Sequence, residues 1–337
     1  MALSERKKRI LQAVVRDYIH SAEPVGSRTI ARRYSLGLSP ATIRNEMADL
    51  EESGYLEQPH TSAGRIPSQM GYRFYVDSLM EKVFISTEEV MAIEKILHER
   101  KEKEIEQFIQ QISRVLSSIT NYTSLVFGPI IKKSAFKQLK VLPLEPGVGL
   151  AILITDTGFI KHKAIQIPMG LDEKELEKMV AYINRRFYGL TMDTITSSLL
   201  KEVKGDLIKN VGLLNETLNL IEDAGRSQEG KLFLGGTTNI LNQPEFRDVN
   251  RIKSLLALLE EEALLGSLLG SASPQGIEVR IGEENKLEEF KDLSMVVTTY
   301  KVVGRNIGTI GILGPIRMEY ARVITLVEHL VLRLNSS

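Results

Sequence analysis

The chain has 337 residues and no cysteine. Disulfides, thiolate nucleophiles and cysteine-bound metals are thereby excluded, and the composition fits a reducing cytoplasm. Charge of one sign is also lacking: 43 Lys and Arg face 43 Asp and Glu. No global field draws the chain to nucleic acid, so affinity for a polyanion has to come from a local patch. No apolar run reaches transmembrane length; the leucine-rich stretch 255–269 is broken by Glu260, Glu261 and Glu262. The N-terminus carries charges without the apolar core of a signal peptide. Together these absences predict a soluble cytoplasmic protein with no membrane partner, long enough for roughly two or three domains.

Catalytic chemistry is scarce too. His20, His60, His98, His162 and His329 show no metal-ligand spacing. Gly235-Gly236-Thr237-Thr238 lacks the Lys-Ser/Thr that follows in a phosphate-binding loop and reads as a strand-ending turn. Asp172, Glu173 and Glu175 suit a helix start, where carboxylates favour the dipole, better than a catalytic pair. No Ser-His-Asp order or nucleophile elbow is present. The sequence predicts no enzyme, no metal site and no cofactor.

What the chain does have is concentrated in residues 36–73. Ser39 is a good N-cap and Pro40 suits the first helical position. Ile43, Met47 and Leu50 form an apolar stripe of helical period, and Gly54 stops the helix. The other face carries Ser39, Ala41, Thr42, Arg44 and Asn45 near the helix start, where a recognition helix meets base edges. Arg pairs with guanine, Asn with adenine, and Ala or Thr methyls with thymine. Asp49, Glu51 and Glu52 should point away from phosphates. Two helices precede it. Ser4 caps one with Ile10, Val14 (or Val15) and Tyr18 inward, and Ser27 caps one with Ile30 and Tyr34 inward. Tyr55–Gln58 reads as a strand, Pro59–Gly64 as a turn, and Arg65-Ile66 as a returning strand. This is the layout of a winged helix-turn-helix. Residues 1–80 hold eleven Lys and Arg against nine Asp and Glu, so the argument rests on placement rather than net charge. Arg6, Lys7, Lys8, Arg28, Arg32, Arg33, Arg44 and Arg65 lie on surfaces that can turn toward phosphates.

The string SPATIRNEMADLEESGYLEQPHTSAGRIPS resembles the signature of the bacterial heat-inducible transcription repressor HrcA family. Arg44-Asn45 and the run Pro59–Arg65 carry most of the likeness. It continues through Gly71–Asp77 to Gly311–Pro315, Met318 and Tyr320. The resemblance implies a homodimer on an inverted-repeat operator upstream of chaperone genes, with the chaperonin GroEL modulating activity. It also implies a winged-helix domain, a GAF-like domain and an inserted dimerising domain.

Elsewhere, the spacing predicts an exit helix over 69–83 and helices from Ser86-Thr87-Glu88-Glu89, a capping box, and from Ile105. Strands are expected at 136–142, 148–154, 159–167, 277–281, 293–300 and 307–313, with Gly304-Arg305-Asn306 turning between the last two. A final helix carries Tyr320, Ile324, Val327, Val331 and Leu334 on one face. The expected class is α+β: a winged-helix unit with its exit helix (1–83), a GAF-like domain in two parts (84–169 and 273–337), and a mostly helical insertion between them (170–272). The insertion offers helices at 172–187 and 205–222 and a leucine-rich third helix. Leu255, Leu256, Leu259, Leu264 and Leu268 cover many sides of that helix. An intramolecular core and a subunit interface are both open, and the small size of the insert favours the interface.

The expected function is a dimeric repressor of heat-shock genes, released on heat stress. Its DNA-contacting set is Arg28, Ser39, Ala41, Thr42, Arg44, Asn45, His60, Thr61, Ser62 and Arg65. The alternative is a winged-helix repressor whose GAF-like domain senses a small molecule; a third reading makes the winged helix a protein adaptor.

Overall fold

The computed structural model describes residues 3–60, 63–99, 105–128, 134–168, 171–195, 199, 202–203, 211–226, 231–246, 248–270, 276–285, 287–302 and 305–336. Three helices open the chain: α1 (Glu5–Ser21), α2 (Ser27–Arg33) and α3 (Pro40–Glu52). The Ser4 hydroxyl accepts from the Lys7 amide at 3.3 Å, and Ala22, left-handed at φ 54°, closes α1. Ile10, Leu11, Val14, Val15, Ile30, Ile43 and Leu50 are fully buried where the helices meet. Each contributes about 1.5–3 kcal/mol by leaving water. Gly26, rather than the expected Ser27, caps α2; Val25 is held in a backbone bridge to Arg65, which places the extended residue at 26. A two-stranded ribbon follows, β1 (Leu56–Glu57) with β2 (Ile66–Pro67).

The exit helix is shorter than its apolar spacing predicts. α4 (Gln69–Phe74) continues as one π turn, Tyr75–Leu79, and Met80 is extended. Tertiary bonds end it: the Gln12 side-chain amide donates to the Leu79 carbonyl at 2.8 Å, and Arg16 pairs with Glu81 at 2.7 Å. α5 (Thr87–Glu99) opens on the expected capping box, with Ser86 and Glu89 bonding each other's amides at 3.2 and 2.7 Å. α6 (Ile105–Thr120) leads into β3 (Thr123–Phe127), a strand absent from the sequence reading.

Three strands, β4 (Phe136–Glu145), β5 (Val148–Thr155) and β6 (Ile160–Gln166), form one antiparallel sheet. α7 (Glu173–Phe187) and α8 (Val211–Arg226) pack on it. The chain then returns as β7 (Leu232–Gly235), α9 (Val249–Glu260) and α10 (Glu262–Gly270). It ends with β8 (Ile277–Ile281), β9 (Leu293–Val302), β10 (Arg305–Pro315) and α11 (Tyr320–Ser336). A second sheet has the order β7-β3-β10-β9-β8, antiparallel throughout. Gly304 lies outside the described residues.

Alternation sends successive residues of this second sheet to opposite cores. Val126, Val296, Ile310 and Ile312 join the side of α6 and α11, while Leu125, Met295, Val297 and Leu313 join α9 and α10. Burial on both faces is why β9 and β10 read as nearly continuous apolar runs.

The pairing brings two distant points of the chain together. Phe127 of β3 lies opposite Leu232 of β7, and the Gly128 amide donates to the Lys231 carbonyl at 2.8 Å. The chain thus leaves and rejoins one sheet at the same point, with an excursion of 129–230 between, where the sequence reading set an insertion at 170–272. The excursion contains the strands assigned to the first part of the larger domain. It excludes the leucine-rich segment, which is two helices covering the five-stranded sheet. Leu255, Leu259 and Leu268 are buried there beside Leu125 and Leu313, with Leu256 and Leu264 half-buried. Of the two readings left open by the sequence, this burial is the intramolecular core: the large sheet supplies the interior that a small insert lacked. Among the described residues, no helix is long and apolar enough to cross a membrane.

Candidate nucleic-acid interface

α3 is presented by the packing of its inner stripe. Ile43, Met47 and Leu50 are buried against α1 and α2, which leaves Ser39, Ala41, Arg44 and Asn45 exposed along the opposite side of its first turns. Thr42 is half-buried. Its amide donates to the Ser39 Oγ at 3.1 Å and the two hydroxyls are 2.9 Å apart, so both are engaged in capping the helix. Arg44 and Asn45 are exposed, with no side-chain hydrogen bond or ion pair among the described residues.

The ribbon is pinned to the turn between α1 and α2. Val25 and Arg65 exchange both backbone hydrogen bonds, at 2.8 and 2.9 Å. A Cβ on Gly64 would lie 2.4 Å from the Val25 carbonyl oxygen, so only glycine permits this approach. At the tip, the Ala63 amide donates to the His60 carbonyl at 2.8 Å and Gln58 bonds the Ala63 carbonyl at 3.1 Å. His60 is exposed. Thr61 and Ser62, expected beside it in the interface, lie outside the described residues.

Arg65, expected in the DNA-contacting set, is turned inward. Its side chain is only 20% exposed and pairs with Glu51 of α3 at 2.7 Å. It braces the ribbon against α3 instead of extending from the tip.

The other cations divide into two groups. Arg6 pairs with the buried Glu46, Lys7 with Asp49 at 2.9 Å and Lys8 with Glu5 at 2.6 Å. Arg33 pairs with the buried Asp17 at 2.7 Å, a hydrogen bond that raises the guanidinium pKa. Each of these charges is offset within the chain. Arg28, Arg32 and Arg44 are exposed and have no carboxylate partner among the described residues. They sit on α2 and the first half of α3, two helices packed on each other. Sequence reasoning placed all eight cations alike; apart from Lys8 with Glu5, the pairs join residues distant in the chain, which leave no local spacing to read. Among the described residues, no group of three or more His, Asp or Glu is placed to hold a metal.

Residues 106–324 match the family model described as HrcA protein C terminal domain. The heat-inducible transcription repressor HrcA of Natranaerobius thermophilus is 48% identical over 335 residues, 99% of this chain and 97% of that protein. The repressor of the same name from Pelotomaculum thermopropionicum is 46% identical over 337 residues, with 99% and 97% coverage. A crystal structure of a hypothetical protein at 2.2 Å resolution superposes with a TM-score of 0.63 at 25% identity, covering 99% of this chain and 97% of that one. Nearly full-length identity at this level means that the chain belongs to the HrcA family, whose curated relatives are heat-inducible transcription repressors.

Proposed function

We propose that this chain is a homodimeric transcriptional repressor of chaperone genes. It occupies an inverted-repeat operator in double-stranded DNA and is released on heat stress. In this reading α1 to α3 and the ribbon are a winged helix-turn-helix. α3 enters the major groove, with Arg44 and Asn45 bonding base edges and Ala41 meeting a thymine methyl. Arg28 and Arg32 hold phosphates on one side, and the ribbon tip with His60, Thr61 and Ser62 on the other. The five-stranded unit is the GAF-like domain, and the excursion 129–230 dimerises. Heat acts by emptying the DNA-competent dimer, which the marginal stability of folded chains allows, and the chaperonin GroEL acts by restoring it.

The observation that carries this reading is the segregation of charge. The only arginines of the first three helices left with neither a carboxylate nor a backbone partner among the described residues are Arg28, Arg32 and Arg44, beside the exposed start of α3. Exposed guanidinium groups without partners repel one another, and a phosphate backbone relieves that repulsion while releasing counterions. Dimerisation has support from the three-stranded sheet. Leu142, Val148 and Ile160 are 46%, 39% and 44% exposed on its outward face, which they share by register with Leu150, Ile152 and Ile154. An apolar face of this kind marks a protein contact.

Footprinting of the purified protein on the DNA upstream of its own gene tests the proposal. Two symmetric protected arms are expected, weakening with salt and with temperature. Protection that is absent, or indifferent to sequence, would refute it.

A further inference from the structure

We infer that Arg73 and Arg317 are positioning residues for operator recognition: together they fix the angle at which the N-terminal unit is carried, and so the spacing of the two half-sites. The inference rests on the DNA-binding, dimeric reading above.

The covalent link between the N-terminal unit and the rest of the chain is weakly directional. After the π turn, residues 80–86 are irregular, with Lys82, Val83 and Phe84 exposed. Such a segment limits reach, at about 3.3–3.6 Å per residue, but fixes no angle. The angle is set by contacts across the junction, and these are directional. Arg73 of α4 reaches out of the N-terminal unit. Its Nε donates to Glu284 at 2.9 Å and its Nη2 to the Val279 carbonyl at 2.6 Å, with a second bond to Glu284. Glu284 is held in turn by the Ile281 amide at 2.9 Å.

Arg317, just after β10, reaches the other way. Its Nη1 donates to the Ile19 carbonyl, in the last turn of α1, at 3.2 Å. Carbonyls in a last turn lack helical partners and favour a cation. The rest of the guanidinium is anchored by Gln243 at 3.0 Å and by both oxygens of Glu245.

Between the arginines, the Tyr72 and Tyr320 rings meet at a tilt of 57°, their centroids 6.1 Å apart. Gln69 adds a two-way bond: its side chain donates to the Ile281 carbonyl at 2.9 Å and accepts from the Glu283 amide at 3.3 Å. Gly282, at φ +57°, makes room for it, since a Cβ there would lie 2.7 Å from the Gln69 oxygen. Apolar burial is non-directional. Two planar guanidinium forks anchored at both ends are not, because each accepts partners only in its own plane. They allow one orientation of α3 relative to the sheet that carries the dimerising excursion.

The test uses full-length wild type, Arg317→Gln, and the near-isosteric Glu284→Gln and Glu245→Gln. Each is bound to the footprinted operator, to derivatives with the spacer changed by one or two base pairs, to a single half-site and to a scrambled duplex. Wild type should prefer the native spacer. The variants should lose about tenfold on the native operator, roughly 1.4 kcal/mol. They should bind all spacers within about twofold of one another, and retain single half-site affinity, because the reading surface is untouched. Variants that keep the wild-type spacing profile, or that lose half-site binding in parallel with operator binding, would overturn the assignment. If Arg317→Gln does not fold, the two glutamate variants decide by the same readout. A wild type indifferent between operator and scrambled duplex would instead overturn the DNA reading, and this role with it.

Discussion

Arg44 and Arg28 are both exposed arginines, yet they stand in different positions relative to the proposed duplex. Arg44 is in the second turn of a helix whose start faces outward, so its fork is available to a base edge. Arg28 is on the helix behind it, where a phosphate is the available partner. Arg44→Ala should cost about 1–3 kcal/mol on the operator and relax preference at one base pair. Arg28→Ala should weaken operator and random duplex alike and reduce the salt slope by about 1. Titrations on both duplexes at several salt concentrations separate the two; equal losses for Arg44→Ala would refute its base-reading role. The Tyr72–Tyr320 pair gives a second residue-scale contrast. Burial raises the pKa of both phenols, so both stay neutral. The Tyr320 hydroxyl donates to the Ile316 carbonyl at 2.5 Å and lies 2.6 Å from the Ser294 Oγ, whereas the Tyr72 hydroxyl is buried without a partner among the described residues. Tyr320→Phe should therefore destabilise by about 1–2 kcal/mol, and Tyr72→Phe should be neutral or stabilising by up to about 1 kcal/mol. Chemical denaturation reads both, and a large loss for Tyr72→Phe would mean that its hydroxyl has a partner.

At the scale of elements, the start of α5 ties local sequence to distant packing. Burial alone would raise the Glu89 carboxyl, but the Ser86 amide and the Arg322 guanidinium outweigh it and hold the group below the usual carboxylate range. Arg322 reaches it from α11 at 2.6 Å and also bonds the Ile119 carbonyl. A depressed carboxyl contributes stability that is present above its unfolded value, about 4.3, and is lost as pH falls through the folded value. Ser86→Ala should cost about 1 kcal/mol at neutral pH. Glu89→Gln should flatten the loss of stability between pH 5 and pH 3, as measured by denaturation across that range. An unchanged acid slope would show that Glu89 is not the group responsible. The same element marks how far sequence could be read. The caps at Ser4, Ser39 and Ser86 and the stop at Gly54 were legible because a cap acts within one helical turn. β3 was not, because Leu125-Val126-Phe127 is a short apolar run buried on both faces, without alternation. The phase of α11 was offset as well. Val323, Leu326 and Leu330 are buried where Ile324 and Val331 were expected, since the helix packs between the five-stranded sheet and α5. Of the candidate interface, the exposed start of α3 was legible; the inward turn of Arg65 was not, because Glu51 meets it only in three dimensions.

At the scale of the whole molecule, two apolar surfaces compete for the name of interface, and burial separates them. Leu259 is 2% exposed in the chain's own second core, whereas Leu142 and Val148 open to solvent on the outward face of the small sheet. The strands beneath that face explain why sequence reasoning turned to the leucine-rich segment instead. Leucine on all sides of a segment signals burial but does not say by what, and β4 to β6 look half-polar because Lys140 and His162 flank Ile152 in register, interleaving polar with apolar side chains on the outward face. Leu259→Ala should therefore destabilise the fold by about 2–5 kcal/mol, by lost transfer energy and an unfilled cavity, without changing subunit association at temperatures where the protein is folded. Leu142→Arg with Val148→Arg should do the reverse. The melting transition measured at low protein concentration, where wild type is also dissociated, should stay within about 1 kcal/mol of its stability, as expected of exposed positions. Sedimentation should shift toward a monomer, and operator affinity should fall toward that of a single half-site. The double arginine variant sedimenting like wild type at micromolar concentration would remove this face from the dimer. Dissociation without loss of operator affinity would instead detach dimerisation from recognition, and with it the need for an inverted repeat.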